Sequence, residues 1–234
     1  MDSFTKEIFD FMKSNGADMV GAADLTGLPE EARSGMPRAI SMAMVLPKEI
    51  IRGISNLPTR EYFDSYCRCN DKLDELAETG AELIVSRGFQ ALPMIRYEIS
   101  ATIVDNSSKL PLKTLATNAG LGWIGKCALL VTEPYGSMLR FGGILTDAPL
   151  ECGKAVTESK CGNCNACKDA CPGGAISGKL WEKDMPREDF FDAAACRTAA
   201  EERSKLGFGI DKASICGKCI EVCPWTRRYC DNPL

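Results

Sequence analysis

The residues best suited to chemistry are cysteines, which recur at short fixed intervals in the last third of the chain. One run has the spacing C-x2-C-x2-C-x3-C-P, and a later run has C-x2-C-x3-C-P. The cysteines of the two runs are Cys161, Cys164, Cys167 and Cys171, then Cys216, Cys219 and Cys223. Cys196 lies between the runs and completes a set of eight thiolates. This spacing is typical of ferredoxins with two clusters, so the sequence predicts two [4Fe–4S] clusters.

The same spacing predicts which thiolates share a cluster. In two-cluster ferredoxins, the last cysteine of each run binds the cluster of the other run. The expected ligands of the first cluster are therefore Cys161, Cys164, Cys167 and Cys223. Those of the second are Cys171, Cys216, Cys219 and one further thiolate. A regular second run would begin at position 213, which is Ala213, so Cys196 is the expected substitute.

Structural zinc and disulfides are the alternative uses of these cysteines. Zinc sites also use C-x2-C pairs, but nothing in zinc chemistry requires two C-x3-C-P closures. Proline ends each ligand loop because it has no N–H to donate and a fixed φ. The chain has 13 cysteines. Those outside the ligand set are expected to be buried free thiols: Cys67, Cys69, Cys127, Cys152 and Cys230.

Composition limits the class of protein. The 234 residues are 45% hydrophobic, which predicts a soluble globular chain, and no apolar run approaches the roughly 18 residues that span a bilayer. The N-terminal segment has early acidic residues and no apolar core, so we expect no signal peptide. Many cysteines without an export signal indicate a reducing cytoplasm and metal ligation.

Charge and histidine content exclude further functions. The net charge of −4 argues against sequence-independent binding of a long polyanion, because such binding depends on clustered lysine and arginine. The chain has no histidine. Ser-His-Asp and Cys-His catalysis are therefore excluded, as are histidine ligands to zinc.

Hydrophobic periodicity predicts the elements that position the thiols. Helices are expected at residues 3–15, ended by Gly16, at 58–88 with Thr59 as cap and a break at Gly80, and at 109–119. Strands are expected at 17–24, 39–46 and 99–105. Two further β-rich pieces, 128–132 and 138–147, flank a turn at 134–136. We predict an α+β fold with a composition boundary near residue 150.

Gly120, Gly122 and Gly125 form a G-x-G-x-x-G pattern. A dinucleotide-binding loop with this pattern must follow a strand and open a helix. Here a helical pattern precedes it and a β-like run follows, which argues against that function. We expect instead a tight turn that lets backbone N–H groups and Lys126 approach a large flat or anionic ligand. The alternative is a packed turn with Trp123 in the core.

The strings AGLGWIGK and GS-x3-FGGILTD, followed by the split cysteine module ending in CPW, resemble the epoxyqueuosine reductases. These are relatives of the corrinoid-containing reductive dehalogenases. The resemblance covers about residues 105–226 and is weaker upstream. It implies a nitroreductase-like α/β domain over 1–150 that binds a corrinoid and substrate, and a bacterial-ferredoxin-like domain over 151–234. It also implies cobalamin held without a histidine below the cobalt, with electrons relayed by the clusters.

The resemblance also implies site residues. Asp105 matches the aspartate that donates a proton in the family, and Lys126 is a second catalytic candidate. A carboxyl group in an apolar cleft can have its pKa raised toward neutrality, which suits proton delivery. The alternative is that Asp105 caps the turn at 106–108. The implied cofactor-binding residues are Gly120, Leu121, Gly122, Trp123, Gly125, Lys126, Gly136 and Ser137.

Some positions depart from the family pattern. Leu112 and Lys113 replace an acidic–arginine pair, residues 66–70 replace a tyrosine–histidine element, and the helical-repeat extension of many tRNA-acting members is missing. We therefore expect a small molecule or a corrinoid protein as substrate in preference to tRNA, a ferredoxin or flavodoxin as low-potential electron donor, and no membrane partner. The predicted protein is a cytoplasmic cobalamin-dependent iron–sulfur oxidoreductase. The alternatives are an electron-transfer protein without its own substrate and a flavin-containing reductase on the same scaffold.

Overall fold

The computed structural model describes residues 1–101, 103–104, 108–211 and 213–231. Contacts divide the chain into two compact units. The α/β unit comprises residues 1–44, 69–121 and 140–156, and the cysteine-rich unit comprises 45–68, 122–139 and 157–234. Each unit is thus assembled from segments that are separate in sequence. The division into domains 1–150 and 151–234 stays a prediction.

Helices and strands are mixed along most of the chain, and after residue 146 the described residues form helices without strands. The strands are β1 (Met19–Asp24), β2 (Arg38–Val45), β3 (Ala91–Pro93), β4 (Trp123–Ile124), β5 (Leu130–Val131) and β6 (Leu139–Thr146). The helices are α1 (Ser3–Ser14), α2 (Lys48–Gly53), α3 (Arg60–Ser86), α4 (Arg96–Ala101), α5 (Leu112–Asn118), α6 (Ala166–Asp169), α7 (Ala193–Phe208), α8 (Lys218–Glu221) and α9 (Pro224–Asp231). Among the described residues, no helix is both long enough and apolar enough to cross a membrane.

The α/β unit is built on a four-stranded sheet in the order β1-β2-β6-β3. β1 and β2 pair in antiparallel register, with Met19 opposite Ala43. Ile8 of α1 and Leu76 of α3 are fully or almost fully buried and pack with Ile40 of β2 in the core. The predicted helix at 3–15 and the predicted strands at 17–24 and 39–46 are confirmed, because their apolar residues form this core.

Side-chain caps explain where the two long N-terminal helices begin. Asp2 accepts a hydrogen bond from the backbone N–H of Thr5 (2.9 Å) at the start of α1. Thr59 Oγ1 accepts one from the N–H of Tyr62 (3.2 Å), which confirms the predicted cap of α3. Each cap satisfies a backbone donor that has no partner within its helix.

The predicted break at Gly80 is wrong, since α3 continues through this position. A Cβ atom at Gly80 would lie 2.1 Å from Cε of Met12 and 2.8 Å from Cδ1 of Ile144. The glycine therefore provides room for close packing in the core and does not end the helix. Glycine in a helix interior costs about 1 kcal/mol relative to alanine, and the close packing at Gly80 offsets this cost.

The predicted strand at 99–105 is also wrong for its first residues, because α4 extends to Ala101. The N–H of Ile99 bonds to the carbonyl of Ile95 (3.0 Å). At the start of the helix, the N–H of Arg96 donates to Oδ1 of Asp74 (3.0 Å), which lies on α3. A cap supplied from a distant part of the chain favours a helix that local β-propensity did not predict.

The cysteine-rich unit consists of short helices and the antiparallel β4–β5 hairpin. α8 packs against α2, α6 and α9. The ring of Trp123 on β4 meets the ring of Trp225 edge to face, with centroids 5.2 Å apart. Such contacts are needed because the short helices provide little apolar surface of their own.

Candidate metal centre

Thiols from both cysteine runs line a cavity of about 80 Å³ in the cysteine-rich unit. Its thiols are Cys127, Cys161, Cys164, Cys167, Cys219 and Cys223. All four cysteines predicted for the first cluster are among them. The fold therefore brings Cys223 of the second run to the same space as the first three cysteines of the first run, as the ferredoxin spacing predicts.

These thiols border a space and do not meet at one point. Among the residues that the structure describes, no group of three or more His, Cys, Asp or Glu side chains is placed to hold a single metal ion. A structural zinc ion would lie about 2.3 Å from each of its thiolates. A [4Fe–4S] cluster instead binds one cysteine at each of its irons and so keeps its ligands further apart. The four thiols predicted for the first cluster, brought to one cavity, are the donor set that a cluster requires.

Tight backbone turns position the ligand loops. The N–H of Cys164 bonds to the carbonyl of Cys161 (3.2 Å), and the N–H of Cys223 bonds to that of Ile220 (3.3 Å). On the opposing turn, a Cβ atom at Gly125 would lie 3.6 Å from the Sγ atoms of both Cys161 and Cys127. Glycine at this position keeps the wall of the cavity close to the sulfurs without a side chain between them.

The thiols differ in exposure and protonation. Cys164 is exposed, whereas Cys161, Cys167 and Cys223 are half-buried. A hydrogen bond with Cys127, together with burial, raises the pKa of the Cys167 thiol far above its usual range. Burial also raises the pKa of Cys223. Binding of metal must therefore displace protons from these groups, since only thiolates are ligands.

Lys126 is almost fully buried, with 4% of its surface exposed. Its Nζ donates hydrogen bonds to the backbone carbonyl of Cys164 (2.8 Å) and to Oδ1 of Asn165 (3.1 Å). Lys126 thus fixes the loop that carries the first run of cysteines. Its predicted parts in catalysis and in cofactor binding stay predictions.

We expect Lys126→Met to loosen this loop, because a methionine fills the space but donates no hydrogen bond. Loss of hydrogen bonds from a buried charged donor should lower the free energy of unfolding by about 2 kcal/mol. Urea unfolding of the anaerobically purified protein measures this loss, and an iron assay measures cluster retention. Lys168→Met, at an exposed lysine, is the control. Equal stability of both variants and wild type would contradict this role for Lys126.

The elements around the second predicted ligand set also come together. A Cβ atom at Gly173 would lie 2.7 Å from the carbonyl oxygen of Ala195, so the loop after Cys171 packs on the turn of α7 that carries Cys196. Further along α7, the hydroxyl of Ser204 donates to the carbonyl of Ile215 (2.7 Å), the residue before Cys216. These contacts favour Cys196 as the substitute ligand, and the assignment stays a prediction.

The residues predicted to bind a cofactor are packed against the protein's own backbone. A Cβ atom at Gly120 would lie 2.7 Å from the carbonyl oxygen of Lys154, and one at Gly122 would lie 2.3 Å from that of Val131. A Cβ atom at Gly21 would lie 2.9 Å from Cδ2 of Leu121. The predicted tight turns are therefore present, and the contacts given above are all with other residues of the protein.

Gly136 and Ser137 contact the start of α9. Gly136 has a φ of 60°, and a Cβ atom there would lie 2.3 Å from the backbone nitrogen of Thr226. The N–H of Ser137 donates to Oγ1 of the same threonine (3.1 Å). A role of these two residues in cofactor binding stays a prediction.

Trp123 matches the packed-turn alternative, with 1% of its surface exposed. Its Nε1 is buried and has no hydrogen-bond partner among the described residues. An unsatisfied buried donor costs roughly 1–3 kcal/mol, so this N–H is a candidate donor to a bound group. Asp105, the predicted proton donor, lies outside the described residues.

The prediction for the remaining thiols is correct only in part. Cys127 and Cys230 are buried, whereas Cys67, Cys69 and Cys152 are half-buried. Sequence reasoning missed the position of Cys127 at the cluster cavity. Its one signal is its place directly after Lys126, in a turn already suspected of approaching a ligand.

Comparison with known proteins connects this geometry to a family. Residues 160–226 match the 4Fe-4S double cluster binding domain. Epoxyqueuosine reductase from Pseudomonas aeruginosa is 29% identical in an alignment that covers 93% of this chain and 57% of that protein. The enzyme of the same name from Aliivibrio fischeri is 30% identical over 85% of this chain and 52% of that protein. The chain is homologous to the epoxyqueuosine reductases. It spans about half the length of these curated relatives.

Solved structures show the same fold. An epoxyqueuosine reductase from Bacillus subtilis, described with its catalytic aspartate loop swung out of the active site, has a TM-score of 0.62 at 20% identity over 96% of this chain and 65% of that one. Another, in complex with a tRNA stem loop, has a TM-score of 0.61 at 20% identity over the same shares. A reductive dehalogenase described as B12-dependent scores 0.73 at 20% identity over 96% of this chain and 33% of that one. The predicted α+β fold with a double-cluster domain is confirmed.

Proposed function

We propose that this chain is a cytoplasmic iron–sulfur oxidoreductase of the epoxyqueuosine reductase type. It passes electrons through two [4Fe–4S] clusters to a cobalamin, where a substrate is reduced. The observation that carries this proposal is the cavity lined by all four cysteines predicted for the first cluster. Its family is supported by the homology over most of the chain.

The protein's own residues have distinct tasks in this proposal. The cysteines hold the clusters, which carry single electrons. Lys126 fixes the first ligand loop through the carbonyl of Cys164. Cys223 and Cys167 are half-buried, while Cys164 is exposed. The exposed thiol marks the side from which an electron donor can approach most closely.

Cobalamin as the second cofactor is supported by the resemblance in AGLGWIGK and by the B12-dependent dehalogenase of the same fold. The buried Nε1 of Trp123, which has no acceptor among the described residues, is the feature of this string that a bound group could satisfy. A bound cobalamin would supply a cobalt centre that reduces the substrate.

Cobalamin binding separates this function from its alternatives. Anaerobically reconstituted protein is mixed with hydroxocobalamin, freed of excess and examined by visible absorption. Retained cobalamin with a base-off spectrum is the expected result. A preparation that retains no cobalamin would support the electron-transfer protein without its own substrate. A yellow preparation that contains flavin would support the flavin-containing reductase.

Asp105 is the proposed proton donor of the reaction. Support comes from its match to the aspartate of the family pattern and from the catalytic aspartate loop of the Bacillus subtilis enzyme. We expect Asp105→Asn to retain both clusters and to lose about 10²-fold or more in turnover, since general acids contribute roughly 10²–10⁴-fold. Iron content and single-turnover reduction measure the two effects. Turnover at the wild-type rate would exclude the role.

Electrons are proposed to enter beside Cys164 from an acidic carrier such as ferredoxin or flavodoxin. A groove of about 610 Å³ next to this thiol is lined by Lys126, Lys168 and Lys179, with Asn163 and Asn165 between them. Lys168 and Lys179 are exposed. A Cβ atom at Gly178 would lie 3.4 Å from Nζ of Lys168, so this lysine reaches across to the loop that carries Lys179. The positive charge complements an acidic donor.

We expect the double variant Lys168→Glu and Lys179→Glu to slow reduction by such a carrier at least tenfold at low salt. Charge reversal removes the electrostatic steering that raises association rates. Stopped-flow measurements at increasing salt should show the wild-type rate fall toward that of the variant. Reduction by dithionite, which needs no docked protein, is the matched control. A variant reduced at the wild-type rate by the protein donor would place electron entry elsewhere.

The substrate is proposed to be one that accepts electrons in a reductive opening or cleavage. The names of the relatives, and the structure with a tRNA stem loop, support a nucleoside in tRNA. The net charge of −4 and the departures at residues 66–70, 112 and 113 support a small molecule or corrinoid protein. Fluorescence anisotropy with a labelled tRNA stem loop at low salt discriminates these. Saturable binding of the stem loop would support tRNA as substrate. Absence of such binding would support a small molecule or corrinoid protein.

A further inference from the structure

The cluster cavity contains more thiols than one cluster uses. A [4Fe–4S] cluster takes four cysteines. The spacing assigns Cys161, Cys164, Cys167 and Cys223 to this cavity, and it assigns Cys219 to the other cluster. Cys127 also lines the cavity, although it belongs to neither run and no C-x2-C or C-P pattern surrounds it.

The turn between β4 and β5 places Cys127 firmly. The N–H of Gly125 bonds to the carbonyl of Leu129 (2.8 Å), and the N–H of Ala128 bonds to the carbonyl of Gly125 (2.9 Å). Ala128 has a positive φ of 58°, an uncommon backbone conformation that closes the turn. On its other side, Cys127 follows Lys126, whose Nζ is bonded to the first ligand loop. The thiol therefore lies between a turn closed by its own hydrogen bonds and a lysine bonded to the first ligand loop.

The contacts of Cys127 are with cysteines from both runs. Its thiol lines the cavity with those of Cys167 and Cys219, and a Cβ atom at Gly125 would lie 3.6 Å from its Sγ and from that of Cys161. Only 5% of its surface is exposed. It is therefore a buried sulfur donor that faces one predicted ligand of each cluster and is shielded from water.

We propose that Cys127 is a positioning residue for the first cluster, which it contacts as an S–H hydrogen-bond donor without being a ligand. Hydrogen bonds to the sulfurs of a cluster alter its reduction potential. Reduction adds negative charge, so a donor stabilises the reduced form and raises the potential. Cys127 thus sets the first cluster's potential above the value that its four ligands alone would give. This inference rests on the proposed pair of clusters.

The test compares Cys127→Ala, Cys127→Ser and Cys230→Ala in the full chain, purified without air. Cys230 is the matched control because it is equally buried in the same unit but does not line the cavity. Iron is counted, and each protein is titrated with reductant while the clusters are followed by electron paramagnetic resonance. We expect about eight irons in every variant. The potential of one cluster should shift to more negative values in Cys127→Ala and recover in Cys127→Ser, whose hydroxyl still donates.

Each other outcome overturns the inference in a recognisable way. A loss of about four irons in Cys127→Ala and in Cys127→Ser would make Cys127 a ligand. About eight irons with both potentials unchanged would show that the thiol does not act on a cluster, while the proposed function stands. Wild-type protein without iron would overturn the proposed function itself. Should the alanine variant fail to fold, a Cys127→Ser protein with wild-type spectra supports the donor, and altered ligation in its spectra contradicts it.

Discussion

Cys161→Ala is expected to retain about four irons per chain where the wild type holds about eight. Cys161 lines the cavity with the other three predicted ligands of the first cluster. Its replacement leaves three thiolates for four irons, and methyl cannot ligate. The remaining iron should belong to the second cluster. Iron and acid-labile sulfide assays on anaerobic protein measure the loss, and electron transfer to the substrate should fall below detection.

Cys152→Ala provides the control for this loss. Cys152 is a half-buried thiol of the α/β unit outside the predicted ligand set, so its removal should leave the iron count unchanged. Full iron in Cys161→Ala would show that another thiol takes its place. Cys127, which lies in the same cavity, is the candidate, and the double variant with Cys127→Ala would then lose the cluster.

Cys196→Ala is expected to lose the other cluster and to keep the first. The regular position for the fourth thiolate is occupied by Ala213, which cannot bind iron. α7 carries Cys196 against the loop that follows Cys171 and is bonded to Ile215, next to Cys216. The variant should therefore contain about four irons, and its spectrum should complement that of Cys161→Ala.

Restoring a regular run gives this prediction its sharpest control. The double variant Cys196→Ala and Ala213→Cys places a thiol where two-cluster ferredoxins have one. Recovery of about eight irons would show that one missing ligand caused the loss. A Cys196→Ala protein that keeps all its iron would refute the assignment, and the fourth ligand would have to be sought elsewhere.

Much of the fold was predictable because its long elements carry their signals locally. The helix that begins at Ser3 has apolar residues at helical spacing, and its cap at Asp2 lies directly before it. α4 was not predictable, because the group that caps it is Asp74 on α3, distant in sequence. The effect of Gly80 was missed for a similar reason. Met12 and Ile144, which occupy the space it leaves, come from other elements.

The site also contains features that local sequence predicts and contacts that it does not predict. Cysteine spacing predicted the four thiols of the first cavity, since the ligand loops are local structures and the crossing of Cys223 follows a general rule. The contacts of Lys126 with Cys164 and of Cys127 with Cys167 depend on how the β4–β5 turn meets the cysteine loop. The cysteine spacing carries no information on contacts between these two segments. That this turn approaches a bound ligand stays a prediction.

A metal and sulfide count on the anaerobically purified full chain tests the central claim most directly. Two [4Fe–4S] clusters require about eight irons and about eight acid-labile sulfides per chain, with no stoichiometric zinc. Zinc without acid-labile sulfide would contradict the account, because the thiols would then hold single ions and could carry no electrons.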